Sequence, residues 1–472
     1  ILDGVYDKML KYTHEVKSPL TNIYMLGIVL PTLALALIPL ASTMLGGAIK
    51  WFHLFLLFNV LVPFLVMYMT LNVMMKRPGG YGEAKLLEKN PLYSKYLSNE
   101  YYYKSAMIAV PLFLIGTIPF LLRYTKLPVW FGIARDYPWS SIGMGFMGDG
   151  GMFGIMTTPA GVLIGPFGML SVILSLFIPI SIALFFSMSY KMKSQELIKE
   201  RTKYKEVEAE FTSSLSQLGN RMGDGTPAET AFLKVAQSTK GTATEGFFKL
   251  VNENVQQLGM SLKEALFNPK RGAVIFYPSD LISTSMSIML ESVKKGLKVA
   301  ARSMMSISEY VKNIKKIQAR MNDLLAELTS DMKSNMSFLA PLLSGIIVGL
   351  SGMITIILAN LSALFDNADF ASQGGLGSSG INQIFGPGGL FSLETMIPTY
   401  WLQIAVGIYL VQVVFILTGT LITIKSGKDD LEKTAEIAKN LKSAMLLYFI
   451  VSLVAVVGLG MLGAVALQGF LG

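Results

Sequence analysis

Seven stretches of this chain contain no Asp, Glu, Lys or Arg, and each is long enough to cross a lipid bilayer. A spanning helix needs about 20 mostly apolar residues at a rise of about 1.5 Å per residue. A charged block, Lys191–Lys333, separates the fourth stretch from the fifth. We therefore predict a polytopic membrane protein with about seven transmembrane helices and one large inserted domain. The stretches are Ser18–Ile49, Trp51–Met75, Ser105–Leu122, Gly150–Tyr190, Ser334–Phe365, Thr395–Ile424 and Ser443–Gly472.

The distribution of charge predicts how the chain is oriented in the membrane. Lys and Arg number 40, against 31 Asp and Glu. One side of the membrane holds 36 of the 40 basic residues if it contains residues 1–17, 76–104, 191–333 and 425–442. Basic loops stay in the cytoplasm, so we expect the inserted block to be cytoplasmic and Gly472 to lie outside the cell membrane. The basic excess then reflects topology and contact with acidic membrane lipids, and a direct nucleic-acid role is the weaker interpretation.

Residue types that support catalysis or metal binding are scarce in this chain. There is no Cys, and the two His, His14 and His53, are isolated from each other. Two such His without Cys do not make an ordinary zinc site, and no P-loop pattern for ATP hydrolysis occurs. We therefore predict no catalytic residue, no metal and no cofactor. The spans also lack the charged residues on which ion-coupled transporters usually rely, which argues against coupled transport.

One apparent nucleotide motif has a simpler interpretation. Gly143, Gly145 and Gly148 match the GxGxxG pattern, which binds a pyrophosphate only between a strand and a helix. Here the pattern falls in a glycine-rich outer loop, so we interpret it as a chance match. Small residues let backbones approach closely, and we expect this loop and Gly374–Gly389 to pack against or dip into the membrane.

The chain repeats itself. Glu15–Thr21 is similar to Asp331–Ser337 at an offset of 316 residues, and Lys104–Met107 is identical to Lys442–Met445 at an offset of 338. Both pairs fall at equivalent points in the order of spans, which indicates an internal duplication. By the same reasoning we expect a helical domain upstream of Ile1. The predicted units are the last helix of that upstream domain (1–19), a first transmembrane unit of four spans (20–190), a cytoplasmic helical domain (191–336) and a second transmembrane unit of three spans (337–472).

Helix signals dominate the inserted block, which makes the predicted fold all-α. Thr226–Glu229 and Ser261–Glu264 are typical of capping boxes, in which a hydroxyl and a carboxylate bind the free amides at a helix start. We expect one helix from Asp280 to about Ala301 and then a last helix that carries a heptad seam. We find no alternating strand pattern here. The seam comprises Tyr310, Ile314, Ile317, Met321, Leu324 and Leu328.

Several of these segments resemble the type II secretion F-domain family, whose members are membrane platforms of type IV pilus, type II secretion and archaellum machines. The resemblance covers 191–360, and its second half is most similar to the archaeal branch. It implies a non-enzymatic platform in the cell membrane that works with a hexameric assembly ATPase and pilin or archaellin subunits, as a homodimer. The segments that carry it are Leu215-x-x-Leu218, Gly225-x-Pro227-Ala228-Glu229-x-Ala231, Tyr277-Pro278-Ser279-x-Leu281-Ile282 and Glu291–Gly296.

A platform should present a charged face to its ATPase, and basic residues on the predicted cytoplasmic side are the candidates for that contact. The alternative is that these residues contact lipid headgroups. Lys294, Lys295 and Lys298 fall within one turn of the expected helix and should form a single patch. We interpret Glu229 as a helix cap and Glu291 as a bundle residue. The candidates are Lys76, Arg77, Lys85, Lys89, Arg221, Lys294, Lys295, Lys298, Lys425 and Lys428, together with Lys95, Lys270, Arg271, Lys433 and Lys439.

Two other functions stay open at this point. A membrane channel or transporter with a helical cytoplasmic regulatory domain is the leading alternative, and a continuous polar pore would favour it. A membrane enzyme is the third hypothesis, because no catalytic pair is evident in the sequence.

Overall fold

The computed structural model describes residues 2–77, 92–143, 151–157, 161, 163–277, 279–366 and 394–471. Lys85, Lys89, most of the GxGxxG segment and Gly374–Gly389 lie outside these residues. The described part of the chain is almost entirely helical, as predicted. Its strands are β1 (Met156–Thr157) and β2 (Leu163–Ile164), an antiparallel pair in which Met156 lies opposite Ile164.

The helices before the inserted block are α1 (Leu2–Tyr24), α2 (Leu30–Met44), α3 (Trp51–Leu56), α4 (Val62–Met75), α5 (Leu92–Leu97), α6 (Glu100–Tyr124), α7 (Leu127–Phe131), α8 (Met169–Ser175) and α9 (Phe177–Gly223). The later helices are α10 (Ala228–Ser238), α11 (Glu245–Gln256), α12 (Leu262–Phe267), α13 (Ala273–Phe276), α14 (Asp280–Lys294), α15 (Leu297–Ser334), α16 (Ala340–Asp366), α17 (Thr399–Ser426) and α18 (Asp430–Leu471). Three short π-helical segments, Met25–Val29, Leu57–Leu61 and Asn335–Leu339, join α1 to α2, α3 to α4 and α15 to α16.

Among the described residues, seven helical stretches are long and apolar enough to cross a membrane, which confirms the predicted number. In the fourth, only part of the charge-free stretch is helical, because the helix begins at Met169 and not near Gly150. The preceding segment contains Gly165 and Pro166, residue types that interrupt helices. The first to seventh spans are Leu10–Met44, Trp51–Met75, Glu100–Tyr124, Met169–Gly223, Leu297–Leu358, Thr399–Ser426 and Asp430–Gly463.

The spans pack around the sixth, helix α17. In the most apolar part of α17, 78 % of residues are buried inside the protein, against 22 % in the third span and 28 % in the second. The second and third spans instead expose large apolar side chains such as Phe64 and Met107. A helix that is apolar all round belongs in the centre of a protein or in lipid. We therefore call the packed spans the membrane core, with α17 at its centre.

The inserted block folds as a helical bundle with its own apolar core. Phe211 and Leu215 of α9, Phe232 of α10 and Phe248 of α11 belong to this core, as does Met304 of α15. The described residues of the bundle contain no strand, as predicted. Helices α9 and α15 each continue from the bundle into the membrane core, so the two regions share two long helices.

Three local predictions in the bundle have different outcomes. The capping box at Ser261 is confirmed, since the Ser261 hydroxyl and the Glu264 carboxylate each accept a hydrogen bond from the other residue's backbone amide. The capping box at Thr226 is wrong, because Pro227 occupies the N-cap of α10 and no side chain caps that helix. The helix expected to reach Ala301 ends at Lys294, because Gly296 adopts φ 116°, outside the helical range.

The heptad seam divides into a packed half and an exposed half. Leu328 is buried, and it shares an apolar cluster with Tyr12 and Val16 of α1. Tyr310 and Ile314, farther from the membrane core, are 67 % and 43 % exposed. The membrane-proximal half of the seam therefore packs where α1 runs beside α15, and Lys17 Nζ contacts Glu327 Oε1 there at 2.9 Å.

Candidate functional site at the buried sixth span

Polar side chains of α17 point into the contacts that this helix makes with its neighbours. Gln403, Tyr409 and Thr418 are buried within a span that contains no charged residue until Lys425. Within a membrane, helices associate through close packing and interhelical hydrogen bonds, because lipid supplies no hydrophobic force between them. The polar residues of α17 are therefore the natural candidates for the group that organises the spans.

Each of the three π-helical segments in the described part of the chain is contacted by a polar side chain of α17. The Tyr409 hydroxyl donates to the carbonyl of Gly27, and Gln412 Nε2 donates to the carbonyl of Asn59 at 3.2 Å. The Thr418 hydroxyl lies 3.2 Å from Met336 Sδ, within the third π segment. A π segment interrupts the regular helical hydrogen-bond ladder and often marks a functional position. Helix α17 thus touches the irregular turns of the first, second and fifth spans.

The same helix contacts the remaining three spans. The Tyr400 hydroxyl donates to the Gly116 carbonyl in the third span at 3.1 Å. Gln403 Nε2 donates to the Tyr448 hydroxyl in the seventh span at 3.1 Å. Gly407 lies so close to the fourth span that a Cβ at that position would be 2.4 Å from Pro179 Cγ. Helix α17 therefore contacts all six other spans through six residues, which we call the hub: Tyr400, Gln403, Gly407, Tyr409, Gln412 and Thr418.

Some polar atoms of the hub and of its neighbour Asn59 have no hydrogen-bond partner among the described residues. Gln403 Oε1, Gln412 Oε1 and both polar atoms of the Asn59 amide are buried without a hydrogen-bond partner among them. A buried polar atom without a partner costs about 1–3 kcal/mol.

A second group of contacts holds two basic loops, residues 76–104 and 425–442, against the side of the membrane core that faces the bundle. Arg201 on α9 forms an ion pair with Asp429, which precedes α18, and both side chains are largely buried. The Tyr96 hydroxyl of α5 lies 3.2 Å from the Thr434 hydroxyl, and Lys193 Nζ lies 4.8 Å from the centre of the Tyr96 ring. We call these five residues the collar. The collar holds both loops against α9.

Two titratable groups in the collar have pKa values that follow from their surroundings. Burial by itself raises the pKa of the Asp429 carboxyl, but the hydrogen bonds from Arg201 and from the Glu432 amide outweigh it and leave the pKa below the ordinary value. Burial raises the pKa of the Tyr96 hydroxyl, because the charged phenolate is poorly solvated there. The ionised carboxylate of Asp429 is thus a stable part of the collar at neutral pH.

The predicted ATPase-contact residues are not all free surface charges. Arg77 Nε donates to the Ile424 carbonyl at 3.0 Å, and burial lowers the pKa of its guanidinium. Lys294 pairs with Glu291 at 2.7 Å, and Lys425 pairs with Glu432 at 3.0 Å. Glu291 is exposed, and the hydrogen bond from Lys294 lowers its pKa. These three basic residues are therefore engaged with groups of this chain.

The predicted patch at Lys294–Lys298 does not lie on one helix. Lys294 ends α14, Lys295 caps it, and Lys298 belongs to the first turn of α15, beyond the break at Gly296. The expectation of a single helical turn is wrong for this physical reason. Lys76, Lys295, Lys298 and Lys428 are exposed, and Arg221 is partly buried.

The structure also places the residues considered for metal binding. His14 is exposed on α1, and His53 Nδ1 accepts a hydrogen bond from the Lys50 amide at 3.1 Å, as a helix-start contact. No group of three or more His, Cys, Asp or Glu suited to a metal occurs among the described residues.

Sequence reasoning overlooked the hub, although one signal was present. Gln403 and Gln412 stand in a charge-free span, and amide side chains in spans usually form hydrogen bonds to other helices. Their partners could not be identified from the sequence, because the bonded pairs lie far apart in the chain: Tyr409 and Gly27 are separated by 382 residues. Comparison with known proteins adds nothing to this geometry, since no protein-family model, no curated protein and no solved structure matches the chain.

Proposed function

We propose that this chain is the non-enzymatic membrane platform of an archaeal type IV filament machine, either a pilus or an archaellum. In this role it couples a hexameric cytoplasmic ATPase to the insertion of pilin subunits. The bundle and both basic loops face the cytoplasm, and the C-terminus lies outside. The proposal combines the family resemblance of the bundle with a mechanical path from the bundle to the spans.

The mechanical path is the observation that carries the proposal. Helix α9 has Phe211 in the bundle core and Ala183 in the membrane core, and α15 has Met304 in the first and Met332 in the second. A force on the bundle therefore reaches the fourth and fifth spans without crossing a flexible linker. The hub, on the sixth span, then connects the fourth and fifth spans to the first, second, third and seventh.

Contacts between α9 and α15 make the two helices move as a pair. The Ser308 hydroxyl donates to the Thr212 carbonyl at 2.8 Å and lies 2.6 Å from the Ser216 hydroxyl. Lys315 Nζ donates to the carbonyls of Glu208 at 3.2 Å and Ala209 at 3.0 Å. These bonds link the two helices inside the bundle and where the helices leave it toward the membrane. They oppose sliding of one helix along the other, which would otherwise reduce the movement that reaches the spans.

The internal duplication is part of the proposal, and two features of the first spans support it. The first spans of the two predicted copies each contain a π segment, Met25–Val29 in one and Asn335–Leu339 in the other. The helices that lead into these spans, α1 and α15, lie side by side. Such a paired arrangement is expected when two copies of one unit pack around a shared centre.

The exposed surfaces support the proposed partners. Exposed Lys295, Lys298 and Lys428 remain the best candidates for an electrostatic contact with the ATPase. The apolar faces of the second and third spans, which include Phe64 and Met107, suit lipids, pilin helices and the second subunit of a homodimer.

The test is a gene deletion combined with an uncoupled variant. Deletion in the source organism should abolish surface filaments seen by electron microscopy, and the wild-type gene should restore them. A Gly-Gly insertion after Lys316 interrupts α15 between the bundle and the membrane core, so it should restore membrane insertion and ATPase binding but not filaments. The same insertion in the loop after Gly241, outside the path, is the control and should restore filaments. Normal filaments in the deletion strain would reject the proposal.

A channel or transporter is the second candidate. The observation that favours it is that the side-chain oxygens of Gln403 and Gln412 and the side-chain amide of Asn59 have no partner among the described residues. Such groups are able to line a polar path through the membrane. Reconstituted protein should then conduct ions or solutes across liposomes, and Gln412→Leu should alter that flux. If liposomes that contain the protein stay impermeable and the deletion strain lacks filaments, the channel is rejected and the platform function is supported.

A further inference from the structure

A cavity of about 370 Å³ opens at the end of the membrane core opposite the bundle. Four segments line it: the connection between the first and second spans, the end of the third span, the β2 region and the start of the sixth span. Its charged lining residues are Lys50, Arg123 and Glu394, and its aromatic ones include Trp51, Tyr124 and Trp401. The ends of spans are the level at which lipid headgroups lie.

The aromatic wall of the cavity is ordered. The rings of Trp51 and Trp401 stack with centroids 4.6 Å apart and planes 15° from parallel. The Arg123 guanidinium lies 4.5 Å from the centre of the Tyr124 ring, and its Nη2 donates to the Leu163 carbonyl at 3.1 Å. These contacts fix the guanidinium at the cavity wall, and they use one of its five N–H donors.

The basic residues of the lining call for an anionic ligand. Lys50 and Arg123 supply donors to the cavity, and both residue types bind phosphate oxygens strongly. With Glu394 opposing them, the described lining residues carry a net formal charge of +1, which matches a phosphodiester better than a phosphate dianion.

We propose that this cavity binds the headgroup of a phospholipid from the leaflet opposite the bundle. Lys50 and Arg123 bind the phosphodiester oxygens, and the Trp51 and Trp401 rings pack against the glycerol backbone. The lipid thereby joins the ends of the first, second, third and sixth spans. The site is independent of any role in filament assembly, since it rests on the cavity alone.

The test is native mass spectrometry of the full chain in detergent, titrated with short-chain phosphatidylglycerol. Lys50→Gln removes one charge-assisted bond from an exposed side chain, so binding should weaken about tenfold. The matched control Lys126→Gln lies outside the cavity and should bind as the wild type does.

Parallel titrations identify which part of the lipid is recognised. Diacylglycerol of the same chain length lacks the phosphate and should bind at least about tenfold more weakly, while inorganic phosphate should compete poorly. Equal binding of diacylglycerol would show that acyl chains alone are recognised, and tight binding of inorganic phosphate would show a soluble anion site. Either result, or equal affinity in Lys50→Gln and Lys126→Gln, would overturn the proposal.

Discussion

The largest buried side chains of the bundle core are aromatic rings, whereas amides, hydroxyls and a glycine make the contacts of the central helix α17 in the membrane core. In the bundle, Phe211 packs edge-on against Phe247 with ring centroids 5.6 Å apart, and it stacks against Phe248 with ring centroids 6.0 Å apart. In the membrane core, the contacts of α17 are made by Tyr409, Gln412 and the bare backbone of Gly407.

The surroundings of each region explain the difference. In the proposed topology the bundle lies in water, so burial of apolar surface should stabilise it by about 25 cal/mol per Å². A span is as apolar outside as inside, so its helices gain nothing from burying Leu and depend on close contact and polar bonds. Substitutions should therefore act in the bundle through lost apolar volume, and in the spans through added volume or lost hydrogen bonds.

The largest effect should come from the bundle. Phe211→Ala removes a fully buried ring and should destabilise the bundle by about 3–5 kcal/mol, since truncation of a buried Phe leaves a cavity. Limited proteolysis of the full chain in detergent should show faster cleavage within the bundle. Phe276→Ala is the matched control, because Phe276 is 56 % exposed and should cost under about 0.5 kcal/mol. Equal losses in the two variants would contradict an apolar bundle core.

The collar should give the next largest effect, and one that depends on pH. Asp429→Asn removes a charged hydrogen bond to buried Arg201 and should cost about 1.5–3 kcal/mol at neutral pH. The pKa of Asp429 is lower in the folded protein, so its contribution is complete above the ordinary carboxyl value of 3.8 and is lost as the pH falls below it. The difference in melting temperature between wild type and variant should therefore be largest at pH 7 and decrease toward pH 3.

The exposed pair Lys17–Glu327 is the control for the collar. Both side chains are more than half exposed, so Glu327→Gln should change stability little at any pH. A melting-temperature difference between wild type and Asp429→Asn that stays constant from pH 7 to pH 3 would show that Asp429 acts by shape and not by charge.

Added volume in the spans should have the third largest effect. Gly407→Ala places a methyl group 2.4 Å from Pro179 Cγ, and overpacking of this kind costs about 1–3 kcal/mol. Gly458→Ala in the seventh span has no heavy atom within 4 Å of the new methyl group and should be neutral or slightly stabilising, because Ala favours helix. Melting temperatures of the two variants in detergent provide the comparison, and a stable Gly407→Ala protein would show that the fourth and sixth spans do not pack closely.

The sequence was sufficient for features that depend on local composition. The seven spans follow from runs without charge, and the Ser261 cap follows from a four-residue pattern. The break at Gly296 was not recognised, since a Gly near a helix end is compatible with both continuation and termination. The hub and the collar could not be predicted as contacts, because pairs such as Arg201 and Asp429 meet only after the spans have packed.

The smallest effect, and the sharpest test of the comparison, should come from one hydroxyl in the hub. Tyr409→Phe keeps the ring of a buried side chain and removes only its hydrogen bond to the Gly27 carbonyl. Hydrogen bonds between spans contribute about 0.6 kcal/mol on average and at most about 1.7, so the loss in detergent unfolding should fall in that range. Tyr68→Phe is the control, since Tyr68 is 61 % exposed on the second span and should change stability by less. A loss near that of Phe211→Ala would mean that polar bonds hold the spans as strongly as apolar burial holds the bundle, and a loss of zero would mean that close packing alone holds them.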